Sequence, residues 1–184
     1  MKKSLIIALT LCFAIFSCGE KTENQEGQEM QNEAKQETVS TPTASSTSVS
    51  TTDMIDAYLS VKDALVADDQ ATAAAESQTL VNAIREFDAE ADLEDLKAQV
   101  LTEAEKLVSG DIASQRESFQ ALSVGMKEIL KVVGTDRTIY QQYCPMYKNN
   151  TGGMWLSASE DIKNPLFGSS MLTCGKVEET LAMN

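Results

Sequence analysis

The sequence predicts a mainly α protein: an antiparallel up-down four-helix bundle followed by an irregular C-terminal segment rich in aromatic residues and sulfur. The chain has 184 residues, with only 3 Pro and 5% aromatic residues, a composition that favours helices over an all-β fold. From Asp53 onward, apolar residues recur every three or four positions, which is the spacing of one helical face. The connections between these runs are short, and short connections favour antiparallel neighbours.

Residues 1–17 are typical of a lipoprotein signal peptide. Met1-Lys2-Lys3 gives a positive start, and residues 4–16 are almost wholly apolar but too short for a stop-transfer helix. The run ends at Ile15-Phe16-Ser17-Cys18-Gly19, which resembles a bacterial lipobox. We therefore expect cleavage before Cys18 and lipidation of that cysteine; the alternative is an ordinary secretory signal with an incidental cysteine.

Residues 18–52 are predicted to form a disordered tether. After Cys18 this stretch consists mainly of Glu, Gln, Asn, Lys, Ser and Thr and contains no aromatic residue, so it cannot bury enough apolar surface to offset its conformational entropy. The tether would hold the domain of residues 53–184 off the membrane without fixing its orientation. We expect a periplasm-facing anchor in a bacterial cell envelope, with the outer-membrane surface as the alternative.

Four apolar stripes define the expected helices and their core. Asp68-Asp69 and Asp92 can cap the helices that follow them, Ser109-Gly110-Asp111 can stop one helix and start the next, and Gly134 ends the last. The methionines within the stripes are expected to fill the core rather than to bind a ligand. In chain order the stripes are Met54, Tyr58, Val61 and Leu65; Ala73, Ser77, Leu80, Ile84 and Phe87; Leu93, Leu96, Val100, Ala104 and Leu107; and Ile112, Gln115, Phe119, Leu122, Met126, Ile129 and Val133.

Composition excludes several classes of function. Histidine is absent, which removes Ser-His-Asp and Cys-His catalytic sets, HExxH zinc sites and the Glu-x-x-His motifs of di-iron bundles. The formal net charge is -13, and phosphate backbones repel such a chain. We expect neither an enzyme nor a nucleic-acid-binding protein, and we expect Arg116 to pair with an acidic side chain.

Residues 135–184 carry the sulfur chemistry, and two interpretations of it remain open. In one, thiolates and thioethers bind a soft cation such as Cu(I) or Ag(I), because such ions prefer sulfur ligands. In the other, the two cysteines form a disulfide, which an oxidising compartment favours. The metal-ligand set would be Cys144, Met146, Met171 and Cys174, with Met154 as a further donor; the disulfide would join Cys144 and Cys174.

Four C-terminal sequence words resemble an uncharacterised Bacteroidetes domain family. They are Tyr140-x-x-Tyr143-Cys144-Pro145-Met146, Trp155-Leu156-Ser157, Asn164-Pro165-x-Phe167-Gly168 and Met171-Leu172-x-Cys174-Gly175. That family occurs as stand-alone lipoproteins and fused to periplasmic adaptor subunits of copper/silver-type cation efflux systems. In the helical part, Tyr58, Val61–Leu65, Asp68, Gln115-Arg116, Phe119 and Ser123 also resemble it.

A shorter likeness is to small heavy-metal-binding modules that carry Tyr-x-Cys-Pro-Met-His. Here Tyr147 stands where the histidine would be, so imidazole ligation is out of reach. Together the two resemblances imply a metal context. They lead us to expect a lipid-anchored envelope protein that binds a soft metal, Cu(I) or Ag(I), in metal homeostasis or efflux, with an efflux adaptor or another envelope protein as partner. The alternative is a disulfide-stapled envelope interaction module without metal binding.

Overall fold

The computed structural model describes residues 51–183, which form a four-helix bundle and a small three-stranded antiparallel sheet, so the predicted mainly helical fold is confirmed. The predicted signal peptide, Cys18 and all but the last two residues of the predicted tether lie outside these residues. The helices are α1 (Thr51–Val66), α2 (Gln70–Glu86), α3 (Glu94–Ser109) and α4 (Ile112–Val133). The strands are β1 (Ile139–Cys144), β2 (Gly153–Ser157) and β3 (Lys176–Leu181).

The predicted stripes form the core of the bundle. All members are buried except Leu96 and Ile112, which are partly buried, and Val133. Val133 is 37% exposed because α4 ends there and the chain leaves the helix at Gly134, whose φ of 85° suits a residue without a side chain. Consecutive helices pack against each other, and β2 packs on α4. None of the helices in the described part of the chain is long and apolar enough to cross a membrane.

Two of the three predicted aspartate caps are confirmed. The Asp69 carboxylate accepts a hydrogen bond from the Thr72 amide at 2.9 Å, and the Asp111 carboxylate accepts one from the Ser114 amide at 2.8 Å. The predicted cap at Asp92 is wrong. Helix α3 is preceded instead by Leu93, which makes no side-chain cap, because this leucine is buried in the core and a turn ending in its amide places Asp92 outside the helix.

The C-terminal segment, which we expected to be irregular, contains a small three-stranded sheet joined by long loops. The strand order is β2-β1-β3, with both neighbours antiparallel to β1. Gln142 lies opposite Trp155 on one side and Val177 on the other, and the pairing with β3 shifts at Gln141. Simple alternation of apolar and polar residues is lost here, because all five residues of β2 are buried whereas β3 is largely exposed.

Candidate functional site

Cys144 and Cys174 form a disulfide, so the structure contains the second of the two predicted arrangements. Cys144 ends β1, and Cys174 lies two residues before β3. Because β1 and β3 pair with Tyr143 opposite Lys176, the two cysteines meet at the same end of the sheet. Their Cα atoms are 5.6 Å apart, within the usual range for a disulfide. The Cys144 side of the bridge is buried and the Cys174 side is partly buried.

The three predicted methionine ligands lie in different surroundings. Met146 follows Cys144 by two residues and is 50% exposed, whereas Met154 is buried within β2. Met171 is tied to the bridge, because its carbonyl accepts a hydrogen bond from the Cys174 amide at 3.0 Å. Among residues 51–183 there is no group of three or more Cys, Asp or Glu side chains that could hold a metal ion. A disulfide sulfur is also not the thiolate that binds soft metals.

Asn164 anchors the loop around the bridge, although the sequence analysis gave it no role of its own. Its side-chain amide donates to the Cys174 carbonyl at 2.9 Å and its side-chain oxygen accepts from the Leu166 amide at 2.8 Å. Its own backbone amide donates to the Leu172 carbonyl at 2.8 Å. Asn164 is fully buried, and the following proline was the only sequence signal for a structured turn at this point.

Gln142 of β1 performs a similar task for the loop that follows β2. Its side-chain oxygen accepts a hydrogen bond from the Trp155 indole at 2.8 Å. Its side-chain nitrogen lies within hydrogen-bond distance of three successive carbonyls, those of Ser159, Glu160 and Asp161, at 2.8, 3.2 and 3.2 Å. The buried side-chain amide of Gln142 thus takes the place of water as hydrogen-bond donor to these carbonyls and holds the loop after β2 in one conformation.

Tyr58 joins the bundle to the sheet. Its hydroxyl lies 2.6 Å from the Ser123 hydroxyl and accepts from the Leu156 amide at 2.9 Å. Ser123 in turn donates to the Phe119 carbonyl at 2.7 Å, so the Tyr58 proton points to Ser123. Burial raises the pKa of Tyr58 well above its ordinary value, so the phenol stays neutral. Tyr58, Ser123 and Phe119, which also belong to the family resemblance, therefore have structural roles here.

Arg116 makes a second junction and confirms the expected pairing with an acid. Its guanidinium contacts the Asp68 carboxylate and donates to the Leu65 and Pro165 carbonyls at 3.1 and 3.0 Å. The Ser169 amide donates to the other oxygen of Asp68 at 3.0 Å. Hydrogen bonds from Ser169 and from the guanidinium lower the pKa of Asp68 to about 2. The end of α1, the start of α4 and the C-terminal loop are thereby held at one point.

Gly168 allows this junction to close. Its φ is 58°, and a Cβ at this position would collide with the Asp68 carboxylate and the Arg116 guanidinium. The conformation favours glycine, and the contact leaves no space for a side chain. The Asn-Pro-x-Phe-Gly motif thus ends on a glycine because any side chain at this position would displace the Asp68–Arg116 ion pair.

Tyr147, which stands in place of the histidine of the heavy-metal modules, points into the protein. It is buried, and its ring meets that of Phe167 edge to face with centroids 5.9 Å apart. The next three residues, Lys148, Asn149 and Asn150, all have positive φ values, of 46°, 56° and 67°. Among residues with side chains, Asn tolerates this left-handed conformation best, so Asn149 and Asn150 suit the turn and Lys148 is the unusual residue. The turn reverses the chain between β1 and β2, and Lys148 is paired with Glu117 of α4 at 2.6 Å.

Residues 54–138 match a domain family described as a protein of unknown function (DUF3347). The match begins within α1, covers the rest of the four helices and ends directly before β1, so it includes Tyr58, Asp68 and Arg116 but neither Cys144 nor Cys174. The helical part is therefore similar to an uncharacterised domain family. No curated protein and no solved structure matches the chain.

Proposed function

We propose that this chain is a lipid-anchored interaction module of the bacterial cell envelope, whose C-terminal sheet is stapled by the Cys144–Cys174 disulfide. The single observation that carries the proposal is that disulfide, because structural disulfides belong to exported proteins. The N-terminal sequence supports export in its own right, since its apolar run stops directly before Ser17-Cys18. The acidic surface of the chain disfavours nucleic acid as a partner, and the lack of histidine disfavours an enzyme.

The placement and the partner follow from the sequence resemblance. We infer that the lipid on Cys18 holds the chain to the membrane, facing the periplasm, and that an efflux adaptor or another envelope protein is its partner. The related inference of an up-down helix order rests on the short connections, the longest of which among the helices runs from residue 87 to residue 93. The aromatic residues of the C-terminal segment, such as Trp155 and Tyr147, would keep the sheet rigid against the bundle.

A second candidate function is Cu(I) binding by the reduced protein. The observation that favours it is the position of the cysteines, whose Cα atoms are 5.6 Å apart, so that two thiolates would already be adjacent after a two-electron reduction. Met146 and Met171 each lie within three residues of one of these cysteines. Oxidation and metal binding would then exclude each other, because the same sulfurs serve both states.

The thiol count separates the two candidates. Protein isolated from the envelope under conditions that block thiol exchange should contain no free thiol at residues 144 and 174 if the staple is its working form. Two free thiols that become protected when Cu(I) is added anaerobically would instead favour the metal-binding protein.

The contribution of the methionines is a separate test. Under reducing conditions, a Met146→Leu, Met171→Leu double variant keeps its apolar volume nearly unchanged but loses two thioether donors. Competition against a Cu(I) chelator should show substantially weaker retention than in the wild type if the Cys/Met site exists. Met183→Leu is the matched control, because Met183 is exposed and lies beyond β3. Equal retention by all three proteins, or none by any, would exclude this site.

Anchoring is tested at the cysteine itself. Cys18→Ser should release the protein from membranes and leave a longer, unprocessed chain. Unchanged membrane retention of this variant would contradict lipidation.

A further inference from the structure

A small pocket lies between α1 and the loop that follows β2. Its volume is about 290 Å³, close to the lower end for small-molecule sites. Two of its lining residues, Lys62 and Ser157, are buried. They belong to the Val61–Leu65 and Trp155-Leu156-Ser157 words, and no contact described above uses their side chains.

Lys62 carries a charge into this buried position. Its side chain is only 10% exposed, and its ammonium pairs with the Asp63 carboxylate at 2.9 Å. An ammonium group has three hydrogens to donate, and no second acceptor lies within hydrogen-bond distance of it among the described residues. Asp63 is 67% exposed, so water weakens the one pair that exists. The ammonium hydrogens that Asp63 leaves unused are available to water or to an acceptor on a ligand.

Ser157 offers a second unused donor in the same pocket. Its oxygen accepts a hydrogen bond from the Ser159 amide at 3.1 Å, whereas its hydroxyl proton has no acceptor among the described residues. The Ser159 hydroxyl accepts in the same way from the Asp161 amide at 3.1 Å. Because Gln142 also holds the carbonyls of this loop, the wall of the pocket is fixed before any ligand arrives, which lowers the entropy cost of binding.

The charges at the rim select the ligand. Lys163 adds a second ammonium to the lining, and the exposed Asp63 and Asp161 add two carboxylates. These four formal charges cancel, so a bound monoanion leaves one uncompensated charge in the pocket and a dianion leaves two, which disfavours phosphate. Leu59 and Ala158 complete the lining and provide apolar contact for a short carbon chain.

We propose that this pocket binds a carboxylate that carries a short apolar group, with the Lys62 ammonium and the Ser157 hydroxyl as its donors. The carboxylate could belong to a free small acid or to the carboxyl terminus of a peptide, since both present the same group.

The test is a titration of isotope-labelled protein purified from the envelope, followed through the amide resonances of Ser157, Ser159 and Asp161. The probes are sodium acetate, N-acetyl-alanyl-alanine and inorganic phosphate, each against sodium chloride at equal ionic strength. Saturable shifts with acetate are the expected result, and tenfold tighter binding of the dipeptide would identify a peptide terminus as the source. Shifts no larger than those with chloride, or tighter binding of phosphate, would overturn the proposal.

Lys62→Met and Asp63→Asn, both on α1, should change the affinity for acetate in opposite directions. Lys62→Met should weaken acetate binding at least tenfold, while Lys148→Met, which removes an ammonium outside the pocket, should not change it. Because a substitution at a buried lysine can disturb folding, the exposed Asp63→Asn is the second variant. It should tighten acetate binding several-fold, since it removes the carboxylate that competes for the ammonium. Unchanged or weaker binding in Asp63→Asn would contradict the assigned donors.

Discussion

Tyr58→Phe is the sharpest test of how the sheet is attached to the bundle. The substitution removes one oxygen atom from a fully buried side chain and leaves the ring, which stacks on Phe119 with centroids 4.9 Å apart. Two hydrogen bonds disappear, at 2.6 Å to Ser123 and 2.9 Å from the Leu156 amide. Ser123 keeps its bond to the Phe119 carbonyl, but the Leu156 amide is left as a buried donor without an acceptor.

The magnitude follows from that orphaned amide. An unsatisfied buried donor costs about 1–3 kcal/mol, and the phenol's own lost bonds are partly offset by the lower cost of burying a phenylalanine. We expect the free energy of unfolding to fall by about 2 kcal/mol. For a domain of this size the melting temperature should fall by roughly 6–8 °C, at about 3–4 °C for each kcal/mol.

Urea titration and thermal unfolding, both followed by circular dichroism, measure the effect. Tyr143→Phe is the matched control, since its hydroxyl makes only a 3.4 Å bond to the Thr151 carbonyl near the surface, and we expect a change within about 0.5 kcal/mol. If the two variants lose equal stability, the Tyr58 hydroxyl does not hold the sheet and the reasoning fails.

Three further perturbations test the bundle and its junctions. The pKa of folded Asp68 is lowered to about 2, against about 3.9 for an unfolded aspartate. The carboxylate of Asp68 therefore stabilises the fold above about pH 4, and this stabilisation is lost as the pH falls towards about 2. Over this range the melting temperature of Asp68→Asn should fall less than that of the wild type. In Gly125→Ala the new Cβ would lie 2.5 Å from a methyl of Val100. Overpacking costs about 1–3 kcal/mol and the helix-propensity gain is about 1 kcal/mol, so urea titration should show the free energy of unfolding fall by about 1 kcal/mol. When Val100 is also replaced by Ala, Gly125→Ala should instead raise the free energy of unfolding. Leu122→Asp should abolish the cooperative unfolding transition, because it buries an unpaired carboxylate on the α4 stripe; a native-like melt would contradict the core assignment.

The helices could be predicted because their signals are local. The spacing of Tyr58, Val61 and Leu65 along one turn after another is a property of consecutive residues, and it is preserved when the helix packs. The same holds for the caps at Asp69 and Asp111, where the acceptor and donor are three residues apart. Asp92 shows the limit of this reasoning, because a neighbouring leucine drawn into the core shifted the start of α3.

The sheet and the pocket could not be predicted because their signals are not local. Which residue of β3 lies opposite Gln142 depends on a bulge, and the burial of all of β2 depends on the bundle that covers it. The sequence indicated Cys144 and Cys174 as a pair. Whether they form a disulfide or bind a metal depends on their redox state, which sequence spacing does not encode. A lysine in a helix is expected at the surface, yet Lys62 is buried and lines a pocket together with the loop after β2.

The hydrogen bonds that join the C-terminal segment to the bundle also suggest which parts of the chain fold first. Tyr58 meets Leu156 across 98 positions of sequence, and Asp68 meets Ser169 across 101. Contacts between neighbouring helices close much shorter loops and should form sooner. Because a chain is synthesised from its N-terminus, Tyr58 and Asp68 can meet Ser123 and Arg116 of α4 before the last fifty or so residues supply the Leu156 and Ser169 amides. We therefore expect truncation after α4 to leave a loosened, aggregation-prone bundle, and the arrival of the sheet to complete the fold.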